Sequence, residues 1–143
     1  MATLGSWTMA SRVLGLGGRL QLGLPDGFLD PAAREQVEAV AWVVRRLRPR
    51  WVVAAPEPVR HPDHLATPAL VRRACYLAGL VALRPRQPEA RWWPDEPEPE
   101  RGEAWRPEAV FEVCREDLAP SVVFDVSATW DRKREAIGCY ASQ

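Results

Sequence analysis

The sequence predicts an α/β fold built as a mostly parallel sheet flanked by helices. Three observations carry that expectation. A helical pattern, a short apolar run and a second helical pattern follow one another between residues 31 and 79, the rhythm of a layered α/β domain. The run between the helices, Trp51-Val52-Val53-Ala54-Ala55, is apolar throughout, as in strands of a parallel sheet covered on both faces. The chain's two histidines then fall just past the C-terminal end of that run, where open α/β sheets place their ligands.

The elements follow in order. Residues 11–22 read as the tail of a helix that stops at Gly15, Gly17 and Gly18, followed by a short extended segment. These glycines do not make a dinucleotide fingerprint, because Leu20 stands where its third glycine belongs. Leu24-Pro25-Asp26-Gly27 is turn chemistry. Asp30 as N-cap and Pro31 at the first helical position predict a helix whose buried face carries Val37, Val40, Ala41, Val44 and Leu47. Pro49 ends it, and Arg45, Arg46, Arg48 and Arg50 suit a solvated helix end.

A second helix is expected over 65–79, with Leu70, Ala74, Leu77 and Ala78 inward and Gly79 near its end. Residues 84–108 hold six of the fourteen prolines, so a long loop insertion is expected there. Residues 109–113 and 121–127 read as strands. A helix over 129–141 closes the chain, with Trp130, Ile137 and Tyr140 as inward positions.

Length and composition bound the function. At 143 residues the chain supports one compact domain, spanning 1–143 with the proline-rich loop at 84–108 inserted in it. Nineteen basic residues balance nineteen acidic ones, so no global field recruits nucleic acid or an anionic membrane. No apolar run reaches the roughly 18 residues of a membrane span, and the N-terminus lacks a signal-peptide pattern. Cys75, Cys114 and Cys139 form no Cys-x-x-Cys pair and read as free thiols in a reducing compartment, so a cytoplasmic protein is expected. The tryptophans at 92, 93 and 105 read as hydrophobic anchors rather than a sugar-stacking platform.

The chemistry concentrates in Arg60-His61-Pro62-Asp63-His64. Imidazoles ligate zinc, and a neighbouring carboxylate can fix their tautomer and raise their basicity. The proline between them restricts the loop. On residue type and spacing, the segment is either a metal or acid–base pair or a surface loop whose Asp63 caps the helix that follows.

RHPDHLATPALVRRACYLAGL resembles the second signature of the PIG-L/LmbE-type zinc N-deacetylases, and is most similar to the bacillithiol-biosynthesis branch, which removes acetate from N-acetylglucosaminyl malate. LGLPDGFLD (22–30), VVRRLRPRWVVAAP (43–56) and VVFDVSATWDRKREAIGCYASQ (122–143) resemble that branch in the same order. The resemblance implies a Rossmann-like, LmbE-like fold and zinc as cofactor. It implies His64 as a metal ligand and His61 as the group that protonates the leaving amine, with Asp63 orienting and charge-stabilising His61. Arg60 and Arg106 would line the pocket of a small amino-sugar substrate. Zinc would polarise the acetyl carbonyl and activate water, and the relatives imply a homo-oligomer.

The sequence departs from that pattern in definite places. No histidine precedes His61, so the family's first signature, His-Pro-Asp-Asp, is not found, and the metal role is not carried over to Asp26 or Asp30. Val59 stands where the branch has an aspartate. The family chain also continues beyond the position of Gln143, so a chain incomplete at both ends is expected, with weak or no zinc binding and negligible acetate release on its own. Two alternatives accompany this reading. One is a catalytically inactive remnant of such a deacetylase. The other is a histidine-nucleophile phosphatase, against which Pro62 and the mid-chain location argue.

Overall fold

A computed structural model describes residues 5–55, 61–93, 102–114 and 118–140. In chain order the elements are α1 (Ser6–Leu14), β1 (Arg19–Gln21), α2 (Arg34–Leu47), β2 (Trp51–Ala54), α3 (Pro62–Ala78), β3 (Arg91–Trp93), β4 (Ala109–Glu112) and α4 (Trp130–Gly138), the last preceded by a 3-10 turn at Ser127–Thr129. The fold is mixed α/β, with four helices and two small sheets among the described residues. These residues group into two compact units: 5–21, 90–93 and 121–140 in one, and 22–55, 61–89, 102–114 and 118–120 in the other.

In the first unit α1 packs on α4, and β1 pairs antiparallel with β3, Leu20 opposite Trp92. Gly15 ends α1 in the left-handed conformation, φ 69°, and its N–H donates to Arg12 O at 3.0 Å, as the glycine cluster predicts. Strand β3 lies inside the stretch expected to be only loop; three residues are too short for a period-2 signal to register.

Residues 121–126 form no strand. Their apolar side chains are exposed, Val123 at 80%, and Asp125 Oδ1 accepts from the Ser127 N–H at 2.9 Å, turning the chain into the 3-10 segment instead. In α4 the inward residue is Ala136. Trp130 and Ile137, expected inward, are exposed.

The second unit carries the core. Val37, Ala41 and Val44 of α2 interlock with Leu70, Ala74, Cys75 and Ala78 of α3, and Val52 and Val110 close one side. Helix α2 begins three residues later than its Asp30-Pro31 signal suggests. Asp30 Oδ1 accepts from Ala32 N–H at 2.7 Å, an Asx turn that competes with helix initiation, and Ala33 becomes the N-cap residue. The buried Gln36 amide secures this approach, accepting from Asp30 N–H at 2.9 Å and donating to Phe28 O at 3.0 Å.

Arg45 also departs from expectation. Instead of solvating the end of α2, it is buried and donates to Ala78 O, Leu80 O and Leu83 O at 2.8, 2.6 and 2.9 Å. It thereby ties the last carbonyl of α3, Ala78 O, to those of Leu80 and Leu83 in the segment that follows the helix. Burial, with repulsion from Arg84, lowers the Arg45 pKa.

Strand β2 runs parallel to β4, with Trp51 opposite Ala109 and Val53 opposite Phe111. Its two faces differ. Val52 packs on the core, whereas Trp51 and Val53 are 51% and 65% exposed, so the expected burial on both faces is not what the strand shows. Trp105 anchors the segment before β4, donating from Nε1 to Pro49 O at 2.9 Å while its backbone N–H reaches Ala78 O. Among the described residues no helix is long and apolar enough to cross a membrane.

Candidate functional site

The site forms at the N-terminus of α3, the helix that follows β2. His61 is the N-cap residue, with extended backbone (φ −108°, ψ 126°), and Pro62 occupies the first helical turn, where its fixed φ suits the helix and its missing N–H has no helical partner to lose. The His61 Nδ1 accepts from the Asp63 backbone N–H at 3.3 Å, so the ring stands in for the hydroxyl or carboxylate of an ordinary cap. That contact places the proton of a neutral ring on Nε2. The His64 ring lies beside it, centroids 5.5 Å apart at 62°. Both rings are exposed, and His64 makes no side-chain hydrogen bond among the described residues.

Asp63 points the other way. Its side chain is buried, and its two carboxylate oxygens accept from the backbone N–H groups of Gly27 (2.7 Å) and Leu29 (2.9 Å), more than thirty residues earlier in the chain. The expected carboxylate-to-His61 hydrogen bond is therefore replaced by a clasp on the 25–29 turn. The Leu29 amide does most to hold the Asp63 carboxyl below the usual carboxylate range; burial opposes it, and the Gly27 amide and the imidazoles of His61 and His64 add to it.

The turn itself closes through Phe28 N–H to Pro25 O at 3.3 Å and needs Gly27 at φ 79°. It brings Asp26 into the site. Ligand atoms of Asp26, His61 and Asp63 all lie within 4.8 Å of one another. The resemblance assigns Asp26 no metal role, because its block lies downstream of the family's first signature, and nothing within its own segment signals that the turn folds back onto α3.

Two other residues named from the sequence lie elsewhere. Arg60 is outside the described residues, as is Val59. Arg106 does not join the site. Its guanidinium stacks over Tyr76, 5.1 Å from the ring centroid, and crowds Gly79, where an added Cβ would come within 2.8 Å of its Nε. Tyr76 is in the last turn of α3, about 20 Å along the helix from His61 at roughly 1.5 Å per residue. The Trp105 anchor fixes Arg106 at that far end.

Imidazole and carboxylate are the right kinds of donor for zinc. Within the group of three, however, the Asp63 oxygens are taken by backbone amides and the His61 Nδ1 by the Asp63 N–H. His64 stands outside that group; its ring nitrogens, like Nε2 of His61, have no hydrogen-bond partner among the described residues, so each imidazole offers an open donor nitrogen.

Fold and site together define a mixed α/β protein with a histidine–carboxylate cluster at a helix start. The chain is similar along its whole length to the crystal structure of the conserved protein TT1542 from Thermus thermophilus, with 37% sequence identity and a TM-score of 0.77. It spans 61% of the length of that chain. No family model matches the sequence.

Proposed function

We propose that the chain carries part of the active site of a zinc-dependent N-deacetylase that hydrolyses the acetamide of an N-acetylglucosamine conjugate, such as N-acetylglucosaminyl malate. The observation that carries this reading is the meeting of two separate segments that resemble the deacetylases, 22–30 and 60–80, at His61 through the Asp63 clasp. A Rossmann-like arrangement and a cytoplasmic location belong to the same proposal.

In this reading His64 would hold the metal from this chain. Bound zinc supplies Lewis-acid polarisation of the acetyl carbonyl and activation of water. His61 would act as the imidazolium, giving a proton to the departing amine nitrogen and returning to the neutral ring. Asp26, exposed and close to His61, offers an acceptor for polar groups of the sugar.

Zinc content by elemental analysis and acetate release from N-acetylglucosaminyl malate test the proposal. The 143-residue chain alone is expected to bind little zinc and release negligible acetate; in a longer form that is an active deacetylase, His64→Ala is expected to lose zinc and His61→Ala to retain it while losing turnover. Equal loss of zinc in both variants would refute the division of roles, and acetate release untouched by His61→Ala would refute the reading itself. The second reading, an inactive form, is favoured by one observation: His61 and His64 are the only histidines in the chain, whereas a catalytic zinc takes three protein ligands. Absence of both zinc and acetate release from the longer form supports that reading.

A further inference from the structure

We propose that Asp63 is a positioning residue acting through the 25–29 turn rather than through His61, and that the group it sets in place is the Asp26 side chain. The proposal rests on the deacetylase reading for the site it serves, but its geometry stands without it. A carboxylate that is buried must have its lone pairs occupied, and those of Asp63 are occupied by two main-chain N–H groups of a single turn, at 2.7 and 2.9 Å. The turn is otherwise held by its internal hydrogen bond, long at 3.3 Å, and by Gln36 Nε2 donating to Phe28 O at 3.0 Å; neither reaches the Gly27 N–H, and Asp26 and Phe28 are exposed, Phe28 at 75%.

His61, by contrast, does not need the carboxylate for its orientation. Its ring is fixed from the backbone side, by the Asp63 N–H at Nδ1, and its backbone is fixed as the cap of α3, where His61 O accepts from His64 N–H at 3.1 Å. The carboxylate and the backbone N–H of one residue thus serve two different partners. Substituting the side chain should release the turn and leave the imidazole where it is.

Asp63→Asn separates the two roles, because it keeps the size and the backbone N–H but turns one of the two acceptor oxygens into an NH2 donor. Hydrogen exchange of the Gly27 and Leu29 amides, read by 15N–1H NMR on the full 143-residue chain, should accelerate by roughly tenfold or more in this variant, as loss of a hydrogen bond to a charged group implies. The core amides of Leu70 and Ala74 should keep their protection, and the 15N shifts of the His61 ring, recorded roughly two units above the ordinary imidazole pKa, should still report an unprotonated Nδ1.

His61→Ala supplies a second arm that does not depend on how Asp63→Asn folds: protection at Gly27 and Leu29 should persist. Three results would overturn the proposal. They are unchanged exchange at both amides in Asp63→Asn, a change of His61 tautomer in that variant, and loss of protection spreading through α3. Failure of the deacetylase reading would appear as missing zinc or acetate in the longer form and would leave these readouts unaffected, so the two failures are distinguishable.

Discussion

Asp63 illustrates how one residue can divide its functions between main chain and side chain. Because its folded pKa lies below its ordinary value of 3.8, the ionised form stabilises the folded state. That contribution is complete above the ordinary pKa and is lost as pH falls from there through the lowered folded value. Acid titration of the wild-type chain should therefore show the 25–29 turn loosening in that window before the α2–α3 core melts, as followed by the Gly27 amide resonance. In Asp63→Asn this acid-dependent step should be absent. At this scale the sequence was informative about chemistry and silent about direction. His61, Asp63 and His64 could be picked out by residue type, but whether the carboxylate faces the ring or a distant turn is a tertiary fact that local spacing does not encode.

Among the elements, helices were the most legible. Val37, Ala41, Val44, Leu70, Ala74 and Ala78 recur at helical spacing, and all six are buried where α2 meets α3. Leu70, 3% exposed, lies in the middle of that contact. Leu70→Ala should destabilise the chain by about 2–5 kcal/mol, by loss of transfer energy and creation of a cavity, measurable as a lowered midpoint in urea. Ends and short strands were less legible. The Asp30 signal was real but went into an Asx turn, and β3, at three residues, was too short to show a period. The 122–126 run has strand composition, yet lacks a described neighbour to pair with, and β-propensity without a partner does not make a strand. The place of Arg106, over Tyr76 in the last turn of α3, was not legible for a related reason: a short motif shared with other chains carries no information about which end of α3 it will reach.

For the whole molecule, the two-sided burial expected of a parallel strand is where sequence and structure part most clearly. One face of the β2–β4 pair covers the α2–α3 core, while the other presents Trp51 and Val53, with Trp51 in edge-to-face contact with Phe111 at 5.8 Å between centroids. Apolar composition along β2 could not distinguish a strand already covered from one with a bare face. Exposed aromatic and β-branched side chains on a sheet favour self-association. The chain is therefore expected to bind a hydrophobic fluorophore and to associate with rising concentration. Trp51→Lys combined with Val53→Lys should reduce both effects in fluorescence and light-scattering measurements. An unchanged response would place the adhesive surface elsewhere.

The clasp between Asp63 and the 25–29 turn has one more consequence, for the order in which the molecule is assembled. It joins residues 34 and 36 positions apart, and everything between them, all of α2 and β2, lies within the ring that it closes. Closing such a ring costs chain entropy that the clasp alone offsets poorly, so it becomes favourable once the enclosed helix and strand have packed against α3. The cluster at His61 is thus a product of the finished unit and not of its signature. A peptide copying residues 60–80 would reproduce every letter of the motif without the neighbour that gives it a shape.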